Sequence, residues 1–442
     1  MFQRKLIAVL VVALVALTAG VSQASMSRVE GMGLTVPSLS QFTDDYVNIY
    51  YYPTSVVRQN NLVLAELGNN PGGFVNSVTH TDQSLTLIKN FPRFGSIAYQ
   101  MKQNALNSPF ANNLNNELFD VIWGMGLAKI DIGVRFDVTN SSFEFDASPG
   151  ATHEEQRGII GFPTGDPYPF GAVFVNDRIV NFGVEMNTWG VSPGIALHLA
   201  NDNRLEGTVS FRRYTLDRKV SAGGVAGEQW KDGGNMSYAV SARGILHQGD
   251  RATWYPAFWY VNDDLSYEVT NNDTGGIGPR SADETYKNLG AGISHNMRVN
   301  DNNLLIFGAA VGQTKASYDR TDNNDGLSSG ALRHRELKTT TAPLFFASLE
   351  TDLTRWLKGR LGATKAMSTQ RLETTDFIAP TADTATFKSK FSNFQFSLGT
   401  GIKFNNFDVD MTLNQSFPLS GGYILSGDQA SPFTRVSGTY HF

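Results

Sequence analysis

Acid–base or metal chemistry would fall first to the 7 histidines, His80, His153, His198, His247, His295, His334 and His441. None lies in an H-E-x-x-H pair, which would hold zinc beside a general base, and no G-x-S-x-G offers a nucleophile elbow. "HEEQ", His153 to Gln156, sets a histidine beside two carboxylates but reads as a solvated external loop. "DNNDG", Asp322 to Gly326, carries oxygen ligands of the kind calcium prefers, yet Thr321 stands where an EF-hand needs its first ligand. A calcium or lipopolysaccharide-bridging ion at that loop stays open as an alternative. Gly31-Met32-Gly33 suggests a phosphate loop, but no strand precedes it and no third glycine completes the pattern. With no cysteine, disulfides, thiolate metal sites and catalytic thiols are excluded. No metal site, no cofactor and no enzymatic activity are expected.

The chemistry that remains is electrostatic, and it belongs to one face of repeated strands. In "KIDIGVRFDV", Ile130, Ile132, Val134, Phe136 and Val138 share a face, while Lys129, Asp131, Gly133, Arg135 and Asp137 share the other. "NFDVDMTLNQSF" sets Phe407, Val409, Met411 and Leu413 against Asp408, Asp410 and Thr412. The stretches 391–404 and 289–299 alternate in the same way. Ten-residue strands with charges on one face and lipophilic residues on the other describe a wall between lipid and a wet lumen rather than a soluble sandwich. Aromatics crowd "WYPAFWYV" (Trp254 to Val261) and "FPRF" (Phe91 to Phe94), where an interfacial girdle would lie.

The elements that position these faces follow from the spacing. Short polar turns at 201–203, 248–251, 300–303 and 405–406 alternate with long linkers at 217–235 and 319–336, as periplasmic turns alternate with external loops. The reading predicts an all-β, antiparallel up-and-down transmembrane barrel of 14 to 16 strands. The strands fall near 62–68, 81–90, 93–101, 117–127, 129–146, 178–200, 203–217, 236–247, 252–268, 285–299, 303–318, 337–352, 356–372, 390–404, 406–418 and 433–442. Ahead of them, Arg4-Lys5, the apolar run Leu6 to Val21 and Ser22-Gln23-Ala24 form a secretory signal over residues 1–24. Residues 25–60 then form an N-terminal hatch and 61–442 the barrel. A net charge of −5 gives no reason to expect nucleic acid.

The chain ends "RVSGTYHF", with Phe442 last and Tyr440 and Val436 on the same parity. This resembles the C-terminal signature of bacterial outer-membrane barrels. The resemblance implies that the barrel assembly machinery recognises the last strand, which then pairs with the first.

Residues 27–57 do not alternate. They carry Gly31-x-Gly33, Asp44-Asp45 with Asn48, and Tyr50-Tyr51-Tyr52-Pro53-Thr54. This order is similar to the start of outer-membrane proteins of the long-chain fatty-acid transporter type and their secretion-associated relatives, with Tyr52 and Thr54 where those have Asn and Ala. The resemblance implies a hatch folded into the lumen below a pocket for hydrophobic compounds. The charges nearest the short turns, Lys129, Asp131, Arg135, Arg204, Glu206, Arg298, Lys358, Arg360, Lys403, Asp408 and Asp410, would need partners inside the barrel. Glu30, Asp44, Asp45 and Arg58 of the hatch are expected to supply them. The expected function is passive uptake of small hydrophobic or amphipathic solutes across the bacterial outer membrane, through a pocket lined by residues such as Trp254, Phe258 and Phe307. The expected partners are outer-membrane lipid and lipopolysaccharide, the assembly machinery and a hydrophobic solute. The alternatives are a structural or secretion-associated barrel that binds proteins, or a general hydrophilic porin.

Overall fold

A computed structural model describes residues 25–34, 37–69, 81–103, 117–146, 181–222, 225–232, 234, 236–264, 266–271, 280–322, 331–378, 381–413 and 433–442. The expected signal sequence, "HEEQ" and most of "DNNDG" lie outside these residues.

Alternating sequence becomes extended chain, and each strand pairs antiparallel with the next. The strands are β1 Leu62–Asn69, β2 Thr81–Phe91, β3 Gly95–Gln103, β4 Glu117–Gly126, β5 Ile130–Asp146, β6 Asn181–His198 and β7 Arg204–Ala222. β8 is broken into Val225–Asp232 and Met236–Gln248, and β9 into Ala252–Asp264 and Tyr267–Asn271. In both, the two pieces run in the same direction against the same neighbours, so each counts once around the ring. Then follow β10 Arg280–Asn300, β11 Asn303–Asp322, β12 Ala331–Asp352, β13 Leu357–Ile378, β14 Thr381–Phe404, β15 Phe407–Leu413 and β16 Phe433–His441. β16 pairs with β1 from Leu62↔His441 to Gly68↔Arg435, which closes a sixteen-stranded up-and-down barrel. Closure pairs the first strand with the last, so neither is left as a free edge, the condition for a sheet in lipid.

The faces are inverted relative to a water-soluble protein. On β5, Phe136 is 53% exposed and Val138 50%, whereas Asp131 and Asp137 are 2% exposed. Leaving such an apolar exterior in water would cost about 25 cal/mol per Å², so the outer face requires hydrocarbon. Phe91, Phe94, Trp356, Phe404 and Phe442 stand exposed near the short-turn rim, and Phe94 rests on Trp123 at 6.2 Å. The short turns need left-handed backbone: Gly95 has φ 90°, Asn201 60° and Asn405 51°. At Gly95 a Cβ would also lie 2.2 Å from the carbonyl of Gly124.

Two expected long loops are partly strand: among the described residues, 217–222 and 225–232 belong to β7 and β8, and 319–322 and 331–336 to the ends of β11 and β12. Both stretches lack alternation because, beyond the lipid, water bathes both faces and selects for neither.

Candidate functional site

The lumen near the short turns is occupied by the chain's own N-terminal segment. Ser25 caps helix α1, Met26–Gly31, its hydroxyl accepting from the Arg28 N–H. Three 3-10 turns follow, Pro37–Phe42, Tyr46–Tyr50 and Pro53–Arg58. Asp45 caps the second, and Pro53 opens the third, where a missing N–H is tolerated. Asn48 donates to the Thr43 carbonyl at 2.7 Å and so ties the chain back on itself. Leu34, Leu39, Phe42, Val47, Ile49 and Val56 are buried against Leu62, Ile122, Ile245, Trp259, Ile306 and Phe346 of the wall. Phe42 stacks on Phe346 at 5.1 Å.

Charged and hydroxyl side chains anchor this segment around the ring. Arg28 grips Glu350 with two bonds, at 2.6 and 2.9 Å, and reaches Asp45 at 3.2 Å. Arg360 bridges the same Glu350 at 2.7 Å to Asp410 at 2.8 Å, and Asp410 accepts from Ser25. Opposite, Arg243 donates to Glu206 at 2.9 Å and to the Thr43 carbonyl at 3.0 Å, with its guanidinium over the Tyr52 ring. Arg204 pairs with Glu206 and Asp131 and donates to the Thr54 carbonyl; Arg135 donates to Asp120 and to the Tyr50 carbonyl. Ser348 donates to the Met32 carbonyl, Ser294 and Asn296 to that of Phe42, and Thr412 to that of Ser27. Charge-assisted bonds in so dry a site are strong when both partners are present and costly when one is missing.

Glycines form the remaining seats. The backbone of Gly31 lies against Gly399, and Met32-Gly33 lies against Gly362, where an added Cβ would sit 2.1 Å from the Met32 carbonyl. Gly133 receives Pro53-Thr54, and Gly292 receives the Phe42 ring. Gly31-x-Gly33 therefore serves close backbone packing, with Gly33 also at φ 75°.

Of the expected wall charges, Asp131, Arg135, Arg204, Glu206, Arg360, Asp408 and Asp410 are buried on the lumen face. Lys403 is half-buried, and Lys358 is half-buried beside Asp352 at 3.5 Å. One assignment is corrected: Lys129 is exposed in the turn before β5 and meets water at the rim. Arg298 shares the parity of buried Ser294 and Asn296 and lies opposite Leu304, but stands exposed beside the register shift that ends β10. The expected pairings are also redistributed. Glu30 meets Arg435, Asp45 meets Arg28, Asp44 meets Arg58 within the segment, and Arg58 lies 3.7 Å from Glu206. Arg28, Arg243 and Glu350 escaped the sequence reading, although the last two share parity with lumen-facing neighbours a few residues from short turns.

A further correction concerns Trp254, Phe258 and Phe307. They face outward, where Trp254 and Phe307 pack on either side of His295, while Tyr255, Ala257 and Trp259 face inward. At the seam, Tyr440 stacks with Phe442 at 6.4 Å, and Lys89 sits over the Phe442 ring. The Phe442 N–H donates to the Asn61 carbonyl.

No protein-family model matches the sequence, and no match is found among curated protein sequences. Solved structures with some likeness include a FadL homologue from Pseudomonas aeruginosa, at 10% identity and TM-score 0.34 over 97% of this chain and 100% of that one. The toluene transporter TbuX of Ralstonia pickettii aligns at 10% identity and 0.32 over 90% and 93%. The ferric-catecholate import receptor Fiu of E. coli aligns at 8% and 0.35 over 87% and 82%. These superpositions are loose, and the fold rests on this chain's own register and closure. That fold is the one the sequence resemblance implied, a closed antiparallel barrel with an apolar exterior and its N-terminal segment in the lumen.

Proposed function

We propose that the protein is a passive outer-membrane channel for small hydrophobic or amphipathic solutes, with residues 25–60 as its hatch. The observation that carries this reading is the mixed character of the lumen wall that the segment covers and that its movement would uncover. A general porin needs a polar, water-filled bore. Here Ala257, Trp259, Ile306, Ala310 and Phe346 give the inner wall an apolar sector against Phe42, beside the ionic anchors. A greasy solute gains by leaving water for such a sector, while the anchors hold the segment by side chains rather than by continuous sheet pairing. The segment can therefore shift without opening the barrel wall.

The test uses proteoliposomes with the full mature chain, assayed for swelling in sugars and for uptake of radiolabelled fatty acids. Uptake of the fatty acids with little sugar permeation supports the reading. Sugar permeation with no fatty-acid uptake overturns it in favour of a hydrophilic pore.

A further inference from the structure

On the lumen face of the closing strands, Asn406, Asp408 and His441 come together. Asn406 and His441 lie opposite each other, the His441 N–H donating to the Asn406 carbonyl at 2.9 Å, and Asp408 is one lumen-facing position further along. Their exposures are 7%, 3% and 5%. Yet the Asn406 side-chain oxygen, both Asp408 carboxylate oxygens and both His441 ring nitrogens have no hydrogen-bond partner. His441 Nε2 stands 3.3 Å from Asp408 Oδ2, close enough for a hydrogen bond but not aimed to make one.

Burying five such atoms without partners is costly, and the separation suggests what would satisfy them. Two ligands bound to one tetrahedral metal at about 2.0–2.2 Å each stand about 3.3 Å apart. Imidazole nitrogen with carboxylate and amide oxygen suits a borderline divalent ion such as zinc better than calcium or magnesium, which prefer oxygen alone. We infer that Asp408 and His441, supported by the Asn406 oxygen, form a binding site for a divalent transition-metal ion. The ion would staple β15 to β16 at the seam. It would also steady Asp410, the next lumen-facing residue, which holds both Ser25 and Arg360. Lys403, opposite Asp408 in register, tempers the site's affinity for a cation. Sequence alone could not show the site, because His441 and Asp408 are distant in the chain and only strand register joins them. Among the described residues no three His, Cys, Asp or Glu side chains are placed to hold a metal ion together, so the third ligand at this site is the amide.

The test is metal binding to the full mature barrel in detergent, stripped with chelator and titrated with Zn²⁺, with Co²⁺ as a spectroscopic probe. The expected result is one ion per chain. His441→Gln and Asp408→Asn each weaken binding by at least about tenfold, as loss of even a supporting group does. His198→Gln serves as control, since His198 is 43% exposed and already bonded to Asp131 at 2.9 Å; it leaves binding unchanged. Heat-dependent gel mobility reports folding, and if His441→Gln fails to close the barrel, Asp408→Asn decides. Wild-type binding no stronger than that of Asp408→Asn overturns the proposal and leaves an ordered water or a proton to satisfy these groups. Loss of binding in His198→Gln overturns it as well.

Discussion

Replacing Gly362 with alanine tests the seating of the N-terminal segment at one atom. The new Cβ would stand 2.1 Å from both the carbonyl carbon and oxygen of Met32 and 2.4 Å from the Gly33 nitrogen. Neither side is a flexible side-chain tip, so the segment must retreat by about 1.3 Å to restore ordinary contact, an overpacking strain typically of about 1–3 kcal/mol. The same retreat stretches the 2.5 Å bond from Ser348 to the Met32 carbonyl beyond hydrogen-bonding range, at about 1 kcal/mol. Together these weaken docking by about 2–4 kcal/mol, a rise of about 30- to 700-fold in the undocked fraction. Planar-bilayer recording should then show open events that are rare in the wild type. Gly207→Ala is the control, because its Cβ meets only a carbonyl at 3.9 Å. A folded Gly362→Ala barrel with wild-type conductance would refute the claim that this backbone contact holds the segment.

Three further outcomes are expected. Arg28→Ala strands Asp45 and removes half the clamp on Glu350, at about 3–5 kcal/mol for a broken buried pair; faster hydrogen exchange across residues 25–60, with unchanged barrel amides, checks this. Burial pushes the Asp45 carboxyl up to about 7, with Arg28 and the Val47 N–H pulling the other way. Once the segment is released, the value returns to about 4. The docked state holds the higher value, so Asp45 favours docking fully below about pH 4, and that contribution is lost as pH rises through about 7. Open events should therefore be more frequent at high than at low pH, and Asp45→Asn should flatten the profile. Phe442→Ala removes the Tyr440 stack and the Lys89 contact at the seam; we propose that it slows recognition by the assembly machinery, read as unfolded protein on heat-dependent gels.

The parts of this fold legible in the sequence are those where lipid and lumen impose opposite demands on alternate residues. β5, β14 and β15 lie in that zone, and their faces could be read directly, as could the closing strand with its terminal aromatic. Where both faces are alike, parity carries no information. In Trp254 to Val261 the outer face meets lipid and the inner face meets the segment's apolar core, so both are greasy and the wrong aromatics were assigned to the lumen. Phe307 fails for the same reason, since Leu304, Ile306 and Ala310 inside are as apolar as the exterior. The ends of β7, β8, β11 and β12 rise above the lipid and lose their alternation. Charge partners were unreadable because they depend on where a non-repetitive segment crosses the ring. The wall glycines at 362 and 399 look, in sequence, like ordinary small residues on a polar face; only the docked Gly31-Met32-Gly33 explains them.

The most direct test of the account is a covalent lock. The Ser27 and Ser437 hydroxyls lie 2.5 Å apart, joining the segment to the last strand, and the chain has no cysteine to interfere. In a Ser27→Cys/Ser437→Cys protein, solute uptake into proteoliposomes is measured oxidised and then reduced. The account predicts that the disulfide suppresses uptake and that reduction restores it. Equal uptake by the locked and unlocked protein, with the disulfide verified, would contradict a mobile hatch.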